Sequence, residues 1–316
     1  MTLSAFARRG VSLCAAAALL AGCGGSLPQS PALPQSAADD RPAKSAGLLY
    51  VSDTVSNEVY VYSYPKGKLV QTLSGFYEPA GECVDDAGNV YIANTGGSNV
   101  LEYAHGGTTP IAALKDNGYF PVGCSVDPTT GDIAVTNFST NSSTRGDLVI
   151  YKAGKGRPKA RYTNAKLFQM LLCGYDDKGN LFVDGLTQGS SFAFAELAKG
   201  GSALTNVTLD QSIGSAGGVE WDGKYVAVGD QSTNTIYQFA IGGKKGKKTG
   251  STVLGGATEV FQFWIAGGKV IGPDAAVGDV GIWAYPAGGS PLKTIGGLYA
   301  PLGAAVSFAA GLRPRS

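Results

Sequence analysis

Six acidic or amide side chains recur along this chain at one point of a repeating pattern, each at the end of a short apolar run. They are Asp53, Asn94, Asn137, Asp184 (one residue early, with Gly185 at the expected place), Asp230 and Asp274. Carboxylate and carboxamide oxygens in such a series could coordinate a hard divalent cation, or accept hydrogen bonds from a polar ligand. Aromatic residues stand ahead of other apolar runs: Phe76, Tyr77, Tyr119, Phe120, Phe168, Phe261 and Tyr299. Flat rings beside oxygen acceptors suit a sugar, whose C–H faces stack while its hydroxyls are hydrogen-bonded. The competing reading is that Asp and Asn close their own turns through side-chain-to-backbone bonds and that the rings pack between units. Asp53, Asn94, Asn137, Asp184, Asp230, Asp274, Tyr77, Tyr119, Phe120 and Tyr299 form the candidate ligand-binding face.

The other reactive groups are few. His105 is the single histidine, in the hairpin Tyr103-Ala-His-Gly-Gly107. A Ser-His-Asp arrangement would have to form around it, and a histidine metal cluster has no second His to use. No catalytic residue is assigned. Five cysteines are present, of which Cys83, Cys124 and Cys173 fall in the repeats. Cys124 and Cys173 each lie three residues before a strand-ending Asp (127 and 176), whereas Cys83 lies two before Asp85. Strand alternation then puts Cys124 and Cys173 on the same side of neighbouring strands. In an oxidising compartment this predicts a Cys124–Cys173 disulfide and a buried Cys83 thiol.

The positions 53, 94, 137, 185, 230 and 274 are 41, 43, 48, 45 and 44 residues apart. A strand-built period of about 40–50 residues marks a β-propeller with one four-stranded blade per repeat. Each unit can be followed through four strands. An innermost strand such as Pro79-Ala-Gly-Glu-Cys-Val-Asp85 leads through a Gly-Asn turn to the Asp/Asn strand. A third strand such as Val59-Tyr-Val-Tyr62 and an outer strand such as Val70-Gln-Thr-Leu73 follow. The first repeat lacks an innermost strand, and Pro301–Phe308 is an orphan one, so pairing the C-terminal strand with the first blade closes an all-β, six-bladed ring and removes its free edge. Glycine, 47 of 316 residues, fits a fold with many hairpins. The loops after the second strands share a face with the lead-ins to the innermost strands. The hairpins between third and fourth strands lie on the other face and carry most of the basic residues, including Lys66, Lys68, Lys152, Lys155, Arg157, Lys159, Lys199 and Lys244-Lys245-Gly-Lys247-Lys248. A formal net charge of +1 argues against a nucleic-acid partner.

Residues 1–22 read as a secretory signal, with Arg8 and Arg9 before an apolar stretch too short to span a bilayer. That stretch ends in Leu20-Ala21-Gly22-Cys23, which resembles the lipobox of bacterial lipoproteins. The resemblance implies cleavage before Cys23, its lipidation, and a membrane partner through the anchor. Gly24 rather than Asp after that Cys implies the outer membrane, facing the periplasm or the cell surface. Residues 23–47 form a Pro/Ser-rich tether, 48–308 the propeller and 309–316 a tail. As a coil the tether would reach about 25 Å.

The elements Tyr50-Val-Ser-Asp53, with Asn57 and Val59 behind them, and Pro-x-Gly-x-x-Val-Asp resemble the NHL-type six-bladed propellers and related secreted bacterial lipoproteins. Those propellers serve as binding platforms, scaffolds and occasionally enzymes. Glu58 and Val100 stand where the NHL pattern has a basic residue, so a polyanion-binding role does not carry over. The resemblance implies a monomeric binding or scaffold module of the cell envelope for a glycan or protein, with no cofactor. Gluconolactonase-like propellers suggest the alternative, a hydrolase holding Ca²⁺ or Mg²⁺ at the channel mouth through Asn137, Asp184 and Asp230, with Glu220 or Glu82 from inner strands. The irregular fourth repeat is where function would be sought first.

Overall fold

The computed structural model describes residues 47–311. β1 (Gly47–Asp53), β2 (Glu58–Tyr64) and β3 (Leu69–Leu73) form a meander. Two complete four-stranded blades follow: β4 (Pro79–Val84), β5 (Val90–Asn94), β6 (Asn99–Tyr103) and β7 (Pro110–Lys115), then β8 (Tyr119–Val126), β9 (Ile133–Thr140), β10 (Asp147–Tyr151) and β11 (Pro158–Tyr162). The fourth blade comprises β12 (Gln169–Tyr175), β13 (Leu181–Leu186), β14 (Phe192–Leu197) and the two-residue β15 (Thr205–Asn206). In the fifth, β16 (Thr208–Leu209) adds in parallel to the outer edge of β17 (Ala216–Trp221), β18 (Val226–Asp230), β19 (Thr235–Gly242) and β20 (Lys245–Val253). The sixth holds β21 (Trp264–Ala266), β22 (Lys269–Asp274), β23 (Asp279–Ala284) and β24 (Lys293–Gly296). Finally β25 (Pro301–Ser307) pairs antiparallel with β1, from Leu48↔Ser307 to Asp53↔Pro301, and supplies the first blade's innermost strand. The chain is a six-bladed β-propeller closed by its C-terminal strand.

The repeat residues explain the geometry. The second strands are short Val/Ile/Leu/Tyr runs because both of their faces are covered by neighbouring blades, as in a buried sheet; all seven residues of β1 are buried. Apolar clusters lie between successive blades, for example Tyr50, Val61, Ile92 and Tyr103 between the first and second. The Pro-x-Gly glycines mark where innermost strands converge on the axis. A Cβ on Gly81 would stand 2.6 Å from the Val122 carbonyl oxygen, and one on Gly123 2.8 Å from that of Leu171. Any side chain there would force adjacent blades apart. The Asp-x-x-Gly-Asn turns are tied by one carboxylate each: Asp85 accepts the Asn89 backbone N–H at 2.8 Å and its side-chain amide at 2.9 Å. Asp176 repeats this with Asn180 at 2.8 and 2.7 Å.

The cysteine pairing differs from expectation. The disulfide joins Cys83 to Cys124, with Cα atoms 5.6 Å apart, and Cys173 is a buried free thiol. The reason is rotational. Residues of the same parity on successive innermost strands all point the same way around the ring. Cys124 therefore faces back into the cluster between the second and third blades, and Cys173 faces back into the cluster between the third and fourth. Opposite parity is what lets two side chains meet across one blade interface, and Cys83 has it. Burial pushes the Cys173 thiol up, with the Asp184 and Glu220 charges adding to the shift.

Candidate functional site

The loop face is organised by the repeating Asp/Asn series. Asp53 accepts backbone N–H groups from Val55 and Ser56 in its own turn, and from Tyr299 and Ala300 just ahead of β25, at 2.7–3.2 Å. Asn94 takes the Tyr77 N–H at 2.6 Å ahead of β4. Asp230 takes those of Gly214 and Ser215 and both donors of Ser232. Asp274 takes those of Thr258, Glu259 and Ala276. Each of these side chains pins the lead-in of an innermost strand to the turn after the second strand. Burial opposes the Asp230 charge, but its Ser232, Gly214 and Ser215 donors outweigh it and hold the carboxyl below its usual range. Asn137 instead donates to Asp147 at 2.9 Å and to Asp116 at 3.3 Å. Those two carboxylates are salt-bridged by Arg161, whose guanidinium stacks 3.9 Å above the Tyr119 ring.

In the fourth blade Gly185 takes the repeat position, and a Cβ there would collide with the Gln169 carbonyl. Asp184 is thereby displaced inward. It is fully buried, Oδ1 accepts the Leu172 N–H at 2.8 Å, and Oδ2 closes no hydrogen bond. Burial pushes its carboxyl up to about 7, against the Leu172 and Gly218 amides that favour the charge. Glu82, also fully buried, is raised well above the ordinary carboxylate range by desolvation, with the Ala305 amide opposing. Asn137, Asp184 and Asp230 thus belong to three separate blade networks.

The axis itself is closed on this face. Ala80, Val122, Leu172 and Phe261 form a buried plug, capped by Phe138, Leu171 and Leu302. Below it Gln262 bridges three blades: Oε1 accepts the Glu82 and Ala304 N–H groups, and Nε2 donates to the Glu82 carbonyl at 2.7 Å. Phe120 tilts against Phe138 with centroids 6.0 Å apart, and Phe76 stacks on Tyr103. Of the aromatic residues singled out by sequence, only Tyr77 and Tyr299 are largely exposed, at 55% and 70%.

These two rings belong to a continuous arc. Val277 (58% exposed) adjoins Gly278, whose carbonyl accepts the Leu298 N–H, which leads to Tyr299; Tyr299 is bonded to Asp53, which in turn holds Val55 (52% exposed). Asn57 Oδ1 then accepts the Glu78 N–H at 2.7 Å beside Tyr77. The arc spans the sixth, first and second blades. Its loop segments 53–58, 73–79, 254–262, 274–279 and 296–301 contain Asp53, Glu58, Glu78, Glu259, Asp274 and Asp279 and no Lys or Arg. The rest of the face carries Lys115, Arg145, Arg161 and Lys166. Val55 and Val277 escape a sequence reading, because a lone Val in a polar turn resembles any other.

The opposite end of the axis is open. A funnel of about 720 Å³ is lined by the ends of all six innermost strands and their turns. Trp221, Trp264, Tyr175, Tyr225, Tyr285 and Phe308 contribute half-buried rings, with Asp86, Asp177, Glu220 and Asp222 among them. The sequence carries a signal for it: Tyr175 and Trp221 occupy the position just before the strand-ending Asp176 and Asp222.

The architecture is that of a six-bladed propeller, plugged on one face and open on the other. No protein-family model matches the chain, and a search of curated proteins returns no match. Among solved structures, it is similar to a chain in the crystal structure of a nidogen/laminin complex, with a TM-score of 0.66 and 14% identity over 83% of this chain and 99% of that one. At that identity the likeness carries the propeller fold alone.

Proposed function

We propose that this propeller is a docking module for a protein partner at the cell envelope, held there by a lipidated Cys23. The observation that carries the reading is the acidic, aromatic arc on the sixth, first and second blades. Four large apolar side chains stand exposed there among carboxylates, an arrangement that suits a partner surface presenting aliphatic groups and Lys or Arg. Aromatic anchors ringed by polar groups are what binding hot spots are made of, and contiguous exposed apolar surface marks interaction sites. The nidogen/laminin structure lends a parallel, being a complex between proteins. A photo-crosslinking residue placed at Tyr77 or Tyr299 in the native organism should give one discrete adduct, and the same residue at Lys199 or Lys248 should not. Tyr77→Ala and Tyr299→Ala should weaken capture of that partner by about tenfold or more each without changing the melting temperature. Adducts of equal yield from both faces would remove the reading.

The anchor follows from the Leu20-Ala21-Gly22-Cys23 motif, which lies outside the described residues along with the signal, the rest of the tether and residues 312–316. Three acyl chains would exceed what stable attachment requires. Cys23→Ser should move the protein from the membrane fraction to the soluble one. Retention of the variant in membranes would show that something else holds it there.

A further inference from the structure

The funnel opposite the plugged mouth is used by nothing in the docking reading. We propose that it is a second binding site, for a small organic cation of the ammonium class. Its volume, about 720 Å³, falls in the range of small-molecule sites, roughly 300–1,000 Å³. Its walls are aromatic on several sides: Trp221 from the fifth blade, Trp264 from the sixth, Tyr175 from the fourth and Phe308 beyond the closing strand. All four are half-buried, packed on one side against the inter-blade clusters while still contributing to the funnel lining.

Charge selects the guest. Asp86, Asp176, Asp177, Glu220 and Asp222 line the funnel against one basic residue, Lys224, among the described residues. A cleft lined by one sign of charge concentrates ions of the other. Asp222 is held charged. Burial opposes ionisation, but Gln238, Tyr225, Tyr285 and Lys224 donate to the carboxylate and keep it below its usual range. Carboxylates alone would suit a metal ion equally well, and flat rings alone a sugar. Rings and negative charge together favour a cation whose positive centre is wrapped in methyl or methylene groups, because such a cation is attracted to ring faces and loses little hydration on leaving water. The protein provides its own example: the Lys224 ammonium lies 4.9 Å from the Tyr225 ring centre.

The test titrates the mature full-length chain with choline, spermidine, the neutral choline isostere 3,3-dimethylbutan-1-ol and maltotriose, reading tryptophan fluorescence and calorimetric heat. At least one cation should bind saturably and about tenfold or more tighter than the neutral isostere. The combined variant Asp177→Asn with Glu220→Gln should erase that preference while leaving the weak neutral binding unchanged, and Trp264→Ala should weaken every guest. Should Trp264→Ala fail to fold, the charge variant alone decides. Cations binding no tighter than the isostere would overturn the proposal, and tighter binding of maltotriose would make the funnel a saccharide site instead.

Discussion

A chain lacking Pro301–Ser307 should show no cooperative thermal transition and should bind a hydrophobic dye at all temperatures. The segment is the innermost strand of the first blade, paired with β1 along its length. Ala304, Ala305 and Val306 are essentially inaccessible to solvent, and Gly303 approaches the Ala80 carbonyl of the next blade so closely that a Cβ would collide with it. Its removal would expose the edge of a strand whose seven residues are all buried, and would strip Gln262 and Ser52 of partners at the axis. Each buried backbone group left without a partner costs about 1–3 kcal/mol. Several together exceed the roughly 5–15 kcal/mol that holds an ordinary domain folded. A chain ended after Phe308 keeps every rung of the ladder and should melt with the parent. A truncated protein with a sharp transition near the parent's temperature would show that the other blades are self-sufficient.

Asp184→Asn should stabilise the protein at pH 8 by a few kcal/mol and progressively less at lower pH. The folded carboxyl titrates at about 7 because burial disfavours its charge, whereas in the unfolded chain it titrates near an ordinary Asp. Between those values the folded state holds a proton that the unfolded state has released, so this group's contribution to stability falls as pH rises from about 4 to about 7 and then levels off. Three pH units at about 1.4 kcal/mol each make the loss on the order of 4 kcal/mol. The amide is close in shape, can still accept the Leu172 N–H, and never ionises, so the gap between variant and parent should open across that window. Glu82 is raised in both proteins and cancels in the comparison. Urea unfolding at pH 4, 6 and 8 reads the result directly. Parallel curves at the three pH values would mean that Asp184 is not buried in its charged form.

The blade count and ring closure were legible because they depend on periodicity. Six Asp/Asn positions and one orphan strand are patterns that local chemistry repeats and that no long-range contact can disguise. The role of those positions was legible only as a choice between ligand and turn. Geometry decides it, since Asp53, Asn94, Asp230 and Asp274 all spend their oxygens on the lead-in to an innermost strand. The disulfide pairing was not legible, because side-chain parity along a strand is a local property, whereas facing across a blade interface depends on the sense of rotation around the ring. The funnel went unseen for a related reason. Tyr175, Trp221 and Trp264 are far apart in sequence and converge only because the propeller brings strand ends to one axis. The fourth repeat's irregularity was visible, but it buries a carboxylate rather than exposing one.

Closure by β25 also has a mechanical meaning. β1 begins at Gly47, so any pull transmitted through the preceding chain is applied at the start of that strand and along its length. β1 is flanked on one side by β2, from Gly47↔Tyr64 to Asp53↔Glu58, and on the other by β25. Under a pull along the strand both ladders are loaded in shear, and their rungs must fail together rather than peel one at a time. The strand that completes the circle is thus also a clamp on the strand through which the preceding chain would pull.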